Sequence, residues 1–592
     1  MSYTFERFER EITAALVATG LISAAEIELA APKAAGVVAD LALPCFRAAK
    51  ARGTNPAQLA AQIVAALVLP AESLVASAAV SGPYVNFRLH PSAFAHAVLH
   101  DVGGRGDAYG CATLGAGRRV IVEYSSPNIA KRMHVGHIRS TIIGQALANL
   151  YACLGYEVIR DNHLGDYGKQ FGVNIAATLR FGRPQAEGEA ALAALEEQYK
   201  EYNRLMQGKN ADDPDYDPDA EVDLDDEARA WSLKLEQGDP QALELWNWMV
   251  ELTKTANQRN YDRLGVQFDV QHGESFYKDM LGAIINDAGE RGIAERDNGA
   301  VVVKDLPDAR GKKLPTFLLQ RSDGGTLYIT RDAATVKYRE ETYNPDSVIY
   351  IVGQTQELHL RQTFALSKAL GYTDATLIHV PFGNVFDAHG EALSTRKGNM
   401  VYLEILLDDA HSRAKVLIEQ KVAEGKTTLS AAQIDEIAEM VGVGAVMYND
   451  LYQDTKRTIT LDWERMLAFE GNSAPYLQYM HARCCSILRD ADEMPNDYDA
   501  TLLTHEAETA LLKEIARLPQ VVREAAERTA PFVVADWLYA TARSFSAFYD
   551  ACSVLKAPSP DLRTARLHLV HATAQALRNG LALLSIRAPE RM

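Results

Sequence analysis

Two histidines three residues apart, His134 and His137 in the run HVGH, sit where an apolar strand hands over to a helix, and that placement points to phosphate chemistry. Val120 to Val122 form a short continuous apolar run, and Ile138, Ile142, Ala146 and Leu150 then recur at helical spacing until Gly155 ends the pattern. Tyr156 to Ile159 reads as a second strand, which makes the segment a strand–helix–strand unit of a parallel sheet. Ligands of such sheets bind beyond the carboxyl ends of the strands. A helix start there offers unpaired N–H groups and a positive dipole end to an anion such as a triphosphate. His134 and His137 share a helix face, and Gly136 between them leaves room for a base or ribose to approach the backbone. Taken alone, the pair could equally be two helix-cap histidines.

A second polar constellation lies far downstream. An apolar strand, Thr376 to Val380, is followed by the Gly-rich stretch GEALSTRKGN from Gly390 to Asn399, which puts Ser394, Thr395, Arg396 and Lys397 in a row. A loop carrying hydroxyls and adjacent cations can close over phosphates and neutralise the charge of a departing pyrophosphate. Its bland alternative is a solvated basic turn.

The elements that must position these residues can be read along the chain. Residues 1 to about 110 predict a compact α/β module with a strand at Tyr84 to Leu89, and GCATLGAGRR marks a linker into the catalytic sheet. Between about 183 and 270 the sheet pattern gives way to a mainly helical insertion. At its centre, residues 211–227 hold ten acids and no base; Ala220 stands where a calcium loop needs glycine, so a solvated acidic loop is expected. The sheet is expected to resume with Val301 to Val303, Thr316 to Leu319, Leu327 to Ile329, Val348 to Val352 and Thr376 to Val380. From about 470 onward the chain reads as helices. The expected fold class is α/β: a Rossmann-like, doubly wound parallel-sheet catalytic domain with a helical insertion, an N-terminal α/β module and a C-terminal all-α bundle.

Bulk properties suit a large enzyme of three or four domains: 592 residues, 47% of them apolar. No hydrophobic run reaches the roughly 18 residues of a membrane span, and the start MSYTFERFERE lacks the apolar core of a secretory signal, so cytoplasmic residence is expected. The six cysteines form no C-x-x-C pair, so the expectation is reduced thiols, with no metal site. A net charge of -18 counts mildly against nucleic-acid binding, although a local basic face can still contact phosphates.

Together, HVGH at 134 to 137 and the stretch from Ala392 to Arg396 resemble the HIGH and KMSKS elements of class I aminoacyl-tRNA synthetases, and among these the chain is most similar to the arginyl-tRNA synthetases. The likeness is carried further by EYSSPNIAK (123–131), DNHLGDYGKQFG (161–172), LYITRD (327–332), IVGQTQELH (351–359), LSTRKGN (393–399) and the ending APERM (588–592). The resemblance implies a ligase that uses ATP, with Mg²⁺ on its phosphates, to activate L-arginine and pass it to the terminal adenosine of tRNA-Arg. It implies domain limits of 1–110 for a tRNA-elbow module, 111–390 for the catalytic domain, 391–470 for a connecting region carrying the KMSKS loop, and 471–592 for anticodon reading; a monomer is the expected state.

The resemblance also distributes roles. A guanidinium is planar and permanently charged, so a selective pocket needs carboxylate and carbonyl acceptors in fixed fork geometry. Tyr328 and Asp332 are expected at the guanidinium, Asn128 and Gln356 toward the amino-acid backbone, and Glu123, Ser125 and His163 in the same pocket. His134, His137 and Gly136 would hold ATP with Ser394, Thr395, Arg396 and Lys397. The first and second KMSKS lysines are replaced here by Ala392 and Thr395, and Lys131, just ahead of HVGH, is expected to supply the missing cation. Tyr476, Gln478, Tyr479 and Arg483 are the expected anticodon contacts. Two other readings keep part of this picture: a class I ligase for a different amino acid, and a binding protein that retains the fold without catalysis.

Overall fold

The structure is a computed structural model that describes residues 2–32, 39–70, 73–207, 223–387, 389–391, 393, 401–425, 427–491 and 493–592. Its centre is a parallel sheet of four strands, β4 (Arg119–Glu123), β5 (Glu157–Asp161), β9 (Ser347–Gly353) and β10 (Thr376–Phe382), in the order β10-β9-β4-β5. Val120, Ile121 and Val122 are fully buried, which is why an unbroken apolar run rather than an alternating one marks β4. The connection from β4 leads to β5 on one side, whereas β9 leads to β10 on the other. The order therefore reverses between β4 and β9, and a crevice opens there at the carboxyl ends of the strands.

The helix Val135–Cys153 follows β4 as its spacing predicts, and packs so closely on the strand's end that a Cβ on Gly144 would come within 2.2 Å of the Tyr124 side chain. Its Arg139 is fully buried and bidentate to Asp450, with N–O distances of 2.8 and 2.7 Å, and donates further to the carbonyls of Thr455 and Arg457. That pair fastens the catalytic helix to the helix Ala431–Leu451 and to the chain leading into β12 (Ile459–Thr460), which pairs with β11 (Val385–Phe386). Losing one partner of such a buried pair costs about 3–5 kcal/mol.

Three sequence expectations change. Val301–Val303 and Thr316–Leu319 do correspond to strands, β7 (Ala300–Val303) and β8 (Phe317–Gln320), but they join β6 (Ala294–Asp297) in a separate antiparallel sheet instead of widening the parallel one. Short apolar runs show burial, not which sheet they enter. Leu327 to Ile329 is no strand: Leu327 is the N-cap of the helix Tyr328–Tyr343, in which Ile329, Ala333 and Ala334 follow helical spacing into the core. The cysteines are not all reduced, because Cys111 and Cys153 form a disulfide with their Cα atoms 4.6 Å apart. The linker doubles back past the end of the HVGH helix, where the Ala112 N–H donates to the Cys153 carbonyl, and no spacing pattern announces that approach. The other four cysteines are buried thiols.

The remaining regions follow the expected classes. The N-terminal module holds an antiparallel sheet, β1 (Leu41–Pro44), β3 (Tyr84–Leu89) and β2 (Val75–Ser81), against helices such as Thr4–Ala18 and Pro91–Arg105. The insertion contains the helices Gly188–Gln207, Leu224–Glu236 and Pro240–Leu264; most of the acidic stretch lies outside the described residues. Beyond residue 470 the elements are helical, with Trp537, Phe545 and Phe548 in the core. Among the described residues, no helix is long and apolar enough to cross a membrane.

Candidate active site

The loop between β4 and the HVGH helix carries three non-glycine residues in the left-handed region, Ser125, Ser126 and Ala130, with φ of 71°, 48° and 59°. Such backbone persists only where surroundings over-determine it. They do so here: the Ser125 N–H donates to Ser140 Oγ, its hydroxyl bonds Tyr261 and Thr141, the Ser126 N–H donates to Asn162 Oδ1, and the Ala130 N–H donates to Thr253 Oγ1. The loop is thereby held in one shape at the mouth of the crevice.

At the helix start the two imidazoles lie 4.0 Å apart, centroid to centroid. The Gly136 N–H donates to His134 Nδ1 at 3.0 Å, and the His134 N–H donates to His137 Nδ1 at 3.2 Å. With both Nδ1 atoms accepting, the proton of each neutral ring sits on Nε2, so each ring presents one donor away from the backbone. Burial, the neighbouring imidazole and Lys131 push His137 down to about 3; burial, with Lys131 assisting against Glu196, also lowers His134. Both rings are therefore uncharged at neutral pH. A Cβ on Gly136 would sit 2.9 Å from the His134 ring, so the glycine makes room for that imidazole as well as for a ligand.

The GEALSTRKGN residues Ser394, Thr395, Arg396 and Lys397 lie outside the described residues. The chain on either side of them is fixed. Leu393 donates to the Val385 carbonyl, while Val401 accepts from the Val135 N–H and Leu403 donates to the Met133 carbonyl. The exit of that segment thus bonds to the residues flanking His134.

Between β4 and β9 lies a cavity of about 370 Å³. Its wall contains Glu123 from the end of β4, Ser125 and Asn128 from the loop that follows, His163 from beyond β5, Tyr328 and Asp332 from one helix, and Gln356 from the turn after β9, together with Gly136 and His137. Seven side chains singled out for amino-acid binding, drawn from four separated segments, thus meet in one space beside the imidazoles. Their present partners differ. Glu123 accepts at 2.6 Å from the buried Arg339, which also bonds Asp161. The Ser125 hydroxyl is engaged in holding the loop. Tyr328 is 60% exposed at the rim, and His163 presents both ring nitrogens with no hydrogen-bond partner among the described residues.

Sequence reading missed two titratable residues in this wall, Glu274 and His359. Glu274 lies 3.1 Å from Arg331, yet burial raises its carboxyl to about 7 against the lowering effect of Arg331 and His163. His359 Nε2 is 2.5 Å from Asp332 Oδ2; burial lowers this histidine, but the bond and charge of Asp332 outweigh that and leave it raised. His359 ends the quoted segment IVGQTQELH and falls on the cavity face one helical turn after Gln356. Glu274 opens the short 3₁₀ helix Glu274–Met280, which carries no α-helical or strand period.

The four residues expected at an anticodon separate. Tyr479 and Arg483 line a groove of about 740 Å³ among the C-terminal helices, with Arg483 donating to the Tyr479 hydroxyl at 2.7 Å and stacked 4.1 Å over Tyr549. Tyr476 turns toward Tyr539 instead. Gln478 is fully buried and donates to the carbonyls of Met440 and Arg587, so it has no edge to offer a base. Tyr476 and Tyr479 share a helix face while Gln478 points inward, and on that face Tyr479 lines the groove whereas Tyr476 packs against Tyr539.

Comparison with known proteins agrees with this architecture. Residues 105–463 match the family model described as tRNA synthetases class I (R), catalytic domain; residues 477–592 match the DALR anticodon binding domain, and residues 6–89 the arginyl tRNA synthetase N terminal domain. The chain is 56% identical to the arginine–tRNA ligase of Chloroflexus aurantiacus over the full length of both, and 39% identical to that of Clostridioides difficile over 93% of this chain and 94% of the other. Among solved structures, Thermus thermophilus arginyl-tRNA synthetase superposes with a TM-score of 0.78 at 25% identity, covering 99% of this chain and 100% of that one.

Proposed function

The chain belongs to the arginyl-tRNA synthetases, class I ligases that use ATP to charge tRNA-Arg with arginine for translation, and from that premise we propose that arginine occupies the β4–β9 cavity with ATP at the adjoining HVGH helix start. The observation that carries this reading is the meeting of Asp332, Tyr328, Asn128 and Gln356 in one cavity that His137 also lines. Asp332 and Glu274 give the guanidinium two carboxylates to face, and Glu123 suits the α-ammonium. Hydrogen-bonding groups left unpaired by a wrong amino acid would reduce its use by roughly 10⁴-fold, so selection needs no second sieve.

The arginine carboxylate attacks the α-phosphorus of ATP, which enters as its Mg²⁺ salt, and pyrophosphate leaves in line. His134 and His137 donate from Nε2 to oxygens that gain charge in the transition state, as neutral hydrogen-bond donors that bring no charge of their own. The helix N-terminus adds the positive end of its dipole. Lys131, whose charge helps depress both imidazoles, stands close enough to meet the phosphates in place of the lysines absent from the later loop, with Arg396 and Lys397 completing the cationic cover. The terminal adenosine of tRNA then takes the arginyl group, first on its 2′-hydroxyl. AMP and pyrophosphate release measured with ATP and arginine, with and without tRNA-Arg, tests the scheme; release driven equally by another amino acid would sink it.

We further propose the division 1–110, 111–390, 391–470 and 471–592, with the first part meeting the tRNA elbow and Tyr479 and Arg483 meeting anticodon bases. Removal of residues 1–110 should raise the KM for tRNA; unchanged tRNA kinetics would exclude the elbow role. A cytoplasmic monomer fits these parts, and sedimentation of the purified chain at working concentration checks the latter.

A further inference from the structure

The three carboxylates of the arginine cavity are compensated in two different ways. Glu123 faces Arg339 at 2.6 Å and Glu274 faces Arg331 at 3.1 Å, and both guanidinium groups stay charged at any working pH. Asp332 has no such partner among the described residues. Its one ion-pair neighbour is His359, with Nε2 held 2.5 Å from Oδ2. The two side chains are each a little under one-third exposed and both line the cavity, His359 from the helix Glu357–Ala369 and Asp332 from the helix Tyr328–Tyr343. We propose that His359 is a positioning residue for arginine selection, fixing Oδ2 of Asp332 so that Oδ1 meets the guanidinium, and surrendering its own proton as arginine arrives. This rests on the proposed placement of arginine in the cavity.

The physical reason lies in which charge can be removed. A permanent cation beside Asp332 would repel a guanidinium and compete for the same carboxylate. An uncompensated carboxylate in the empty cavity would be poorly solvated. Histidine satisfies both states. In the empty cavity the imidazolium donates from Nε2 and balances the charge; when arginine binds, the proton on Nδ1 leaves to water and neutral His359 keeps the Nε2–H bond that orients Asp332. One positive charge enters and one proton departs. The hydrogen bond and charge of Asp332 outweigh burial and raise His359, the direction the exchange requires. Other titratable groups around the cavity are Glu123, His137, His163, Glu274, Tyr328 and Tyr350. His137 stays neutral throughout, and Glu274, raised to about 7, and His163 are the acid–base groups from which proton release by His359 has to be separated.

The test uses the full-length enzyme with three variants, His359→Gln, His359→Ala and Asp332→Asn. Arginine binding is followed by calorimetry at pH 7 in buffers of different ionisation enthalpy, which counts protons released, and steady-state charging gives KM and kcat. His359→Ala should raise the KM for arginine about tenfold or more with a much smaller change in kcat and in the KM for ATP. His359→Gln, which retains a donor of similar reach but cannot titrate, should recover much of that KM while releasing fewer protons than the wild type. Wild-type arginine KM in His359→Ala would overturn the positioning role. Undiminished proton release in His359→Gln would assign the proton to another cavity group, Glu274 or His163, and overturn the exchange. If Asp332→Asn bound arginine normally, the placement of arginine itself would fail, whichever result His359 gave.

Discussion

Where the HVGH helix begins, the side chains aimed at the crevice are uncharged imidazoles backed by main-chain N–H groups, whereas the adjoining arginine cavity is walled by carboxylates that each carry a counter-charge from a distant segment. The contrast follows from the ligands. A triphosphate brings its own charge and cations, so neutral donors with a fixed tautomer can follow charge as it develops. A guanidinium must be told apart from other side chains, which needs acceptors in fixed positions, and buried acceptors need balancing. Charge at the helix start is therefore kept off the imidazoles by burial, as at His137, while at the amino-acid end Glu123 and Asp332 keep theirs beside Arg339 and His359.

Breaking the amino-acid end should have the largest effect. Asp332→Asn is expected to lower kcat/KM for arginine by about 10³-fold, mostly through KM, since a charged hydrogen-bonding partner of the substrate is lost; an arginine titration of charging rate reads it. At the phosphate end, His137→Ala should lower kcat by about 10²-fold with little change in arginine KM. A fall in arginine affinity instead would show that the two ends are not separate. Lys131→Ala should reduce pyrophosphate release by about tenfold or more if it replaces the missing loop cation; turnover close to wild type would remove that role.

The comparison sharpens with pH. Glu274 has its carboxyl raised to about 7, so its effect on stability is fully present below the ordinary carboxyl range and is lost as pH rises through 7. The ionised form that attracts a guanidinium accumulates above 7. The KM for arginine should therefore fall by up to about tenfold between pH 6 and pH 8, and Glu274→Gln should remove only the part of that slope that His359→Gln leaves. His134 and His137, already neutral, should add no acid limb to kcat across the same interval. The smallest change is expected far from both ends: Tyr479→Ala with Arg483→Ala should raise the KM for tRNA about fivefold, the loss of one stacked base, and leave arginine and ATP kinetics alone.

Legibility in the sequence tracks distance along the chain. His134, Gly136 and His137 sit within one turn of the strand that introduces them, and local period suffices to place them at a helix start. The arginine residues were found by likeness of short segments, and the cavity gathers them from four such segments. Glu274 went unseen because it opens a short 3₁₀ helix whose period matches neither an α-helix nor a strand, and His359 because a histidine in a helix reads as any other half-buried one. The Leu327–Ile329 strand failed because two apolar residues two apart suit a strand, while Ala333 and Ala334, on the same stripe, belong to a helix. Gln478 failed because helical spacing without burial cannot tell the inner face from the outer.

By itself, then, the sequence determined the strand–helix–strand unit around HVGH, the helical insertion, the helical C-terminal part and the family's segment motifs, all of which depend on periodicity or identity over a few residues. Tertiary structure alone decided that the strands Ala300–Val303 and Phe317–Gln320 leave the parallel sheet, that Cys111 reaches Cys153, and that each cavity carboxylate receives its particular cation. Those are meetings between residues tens to hundreds of positions apart, and they arise from the order in which strands pair and helices pack, which no local spacing encodes.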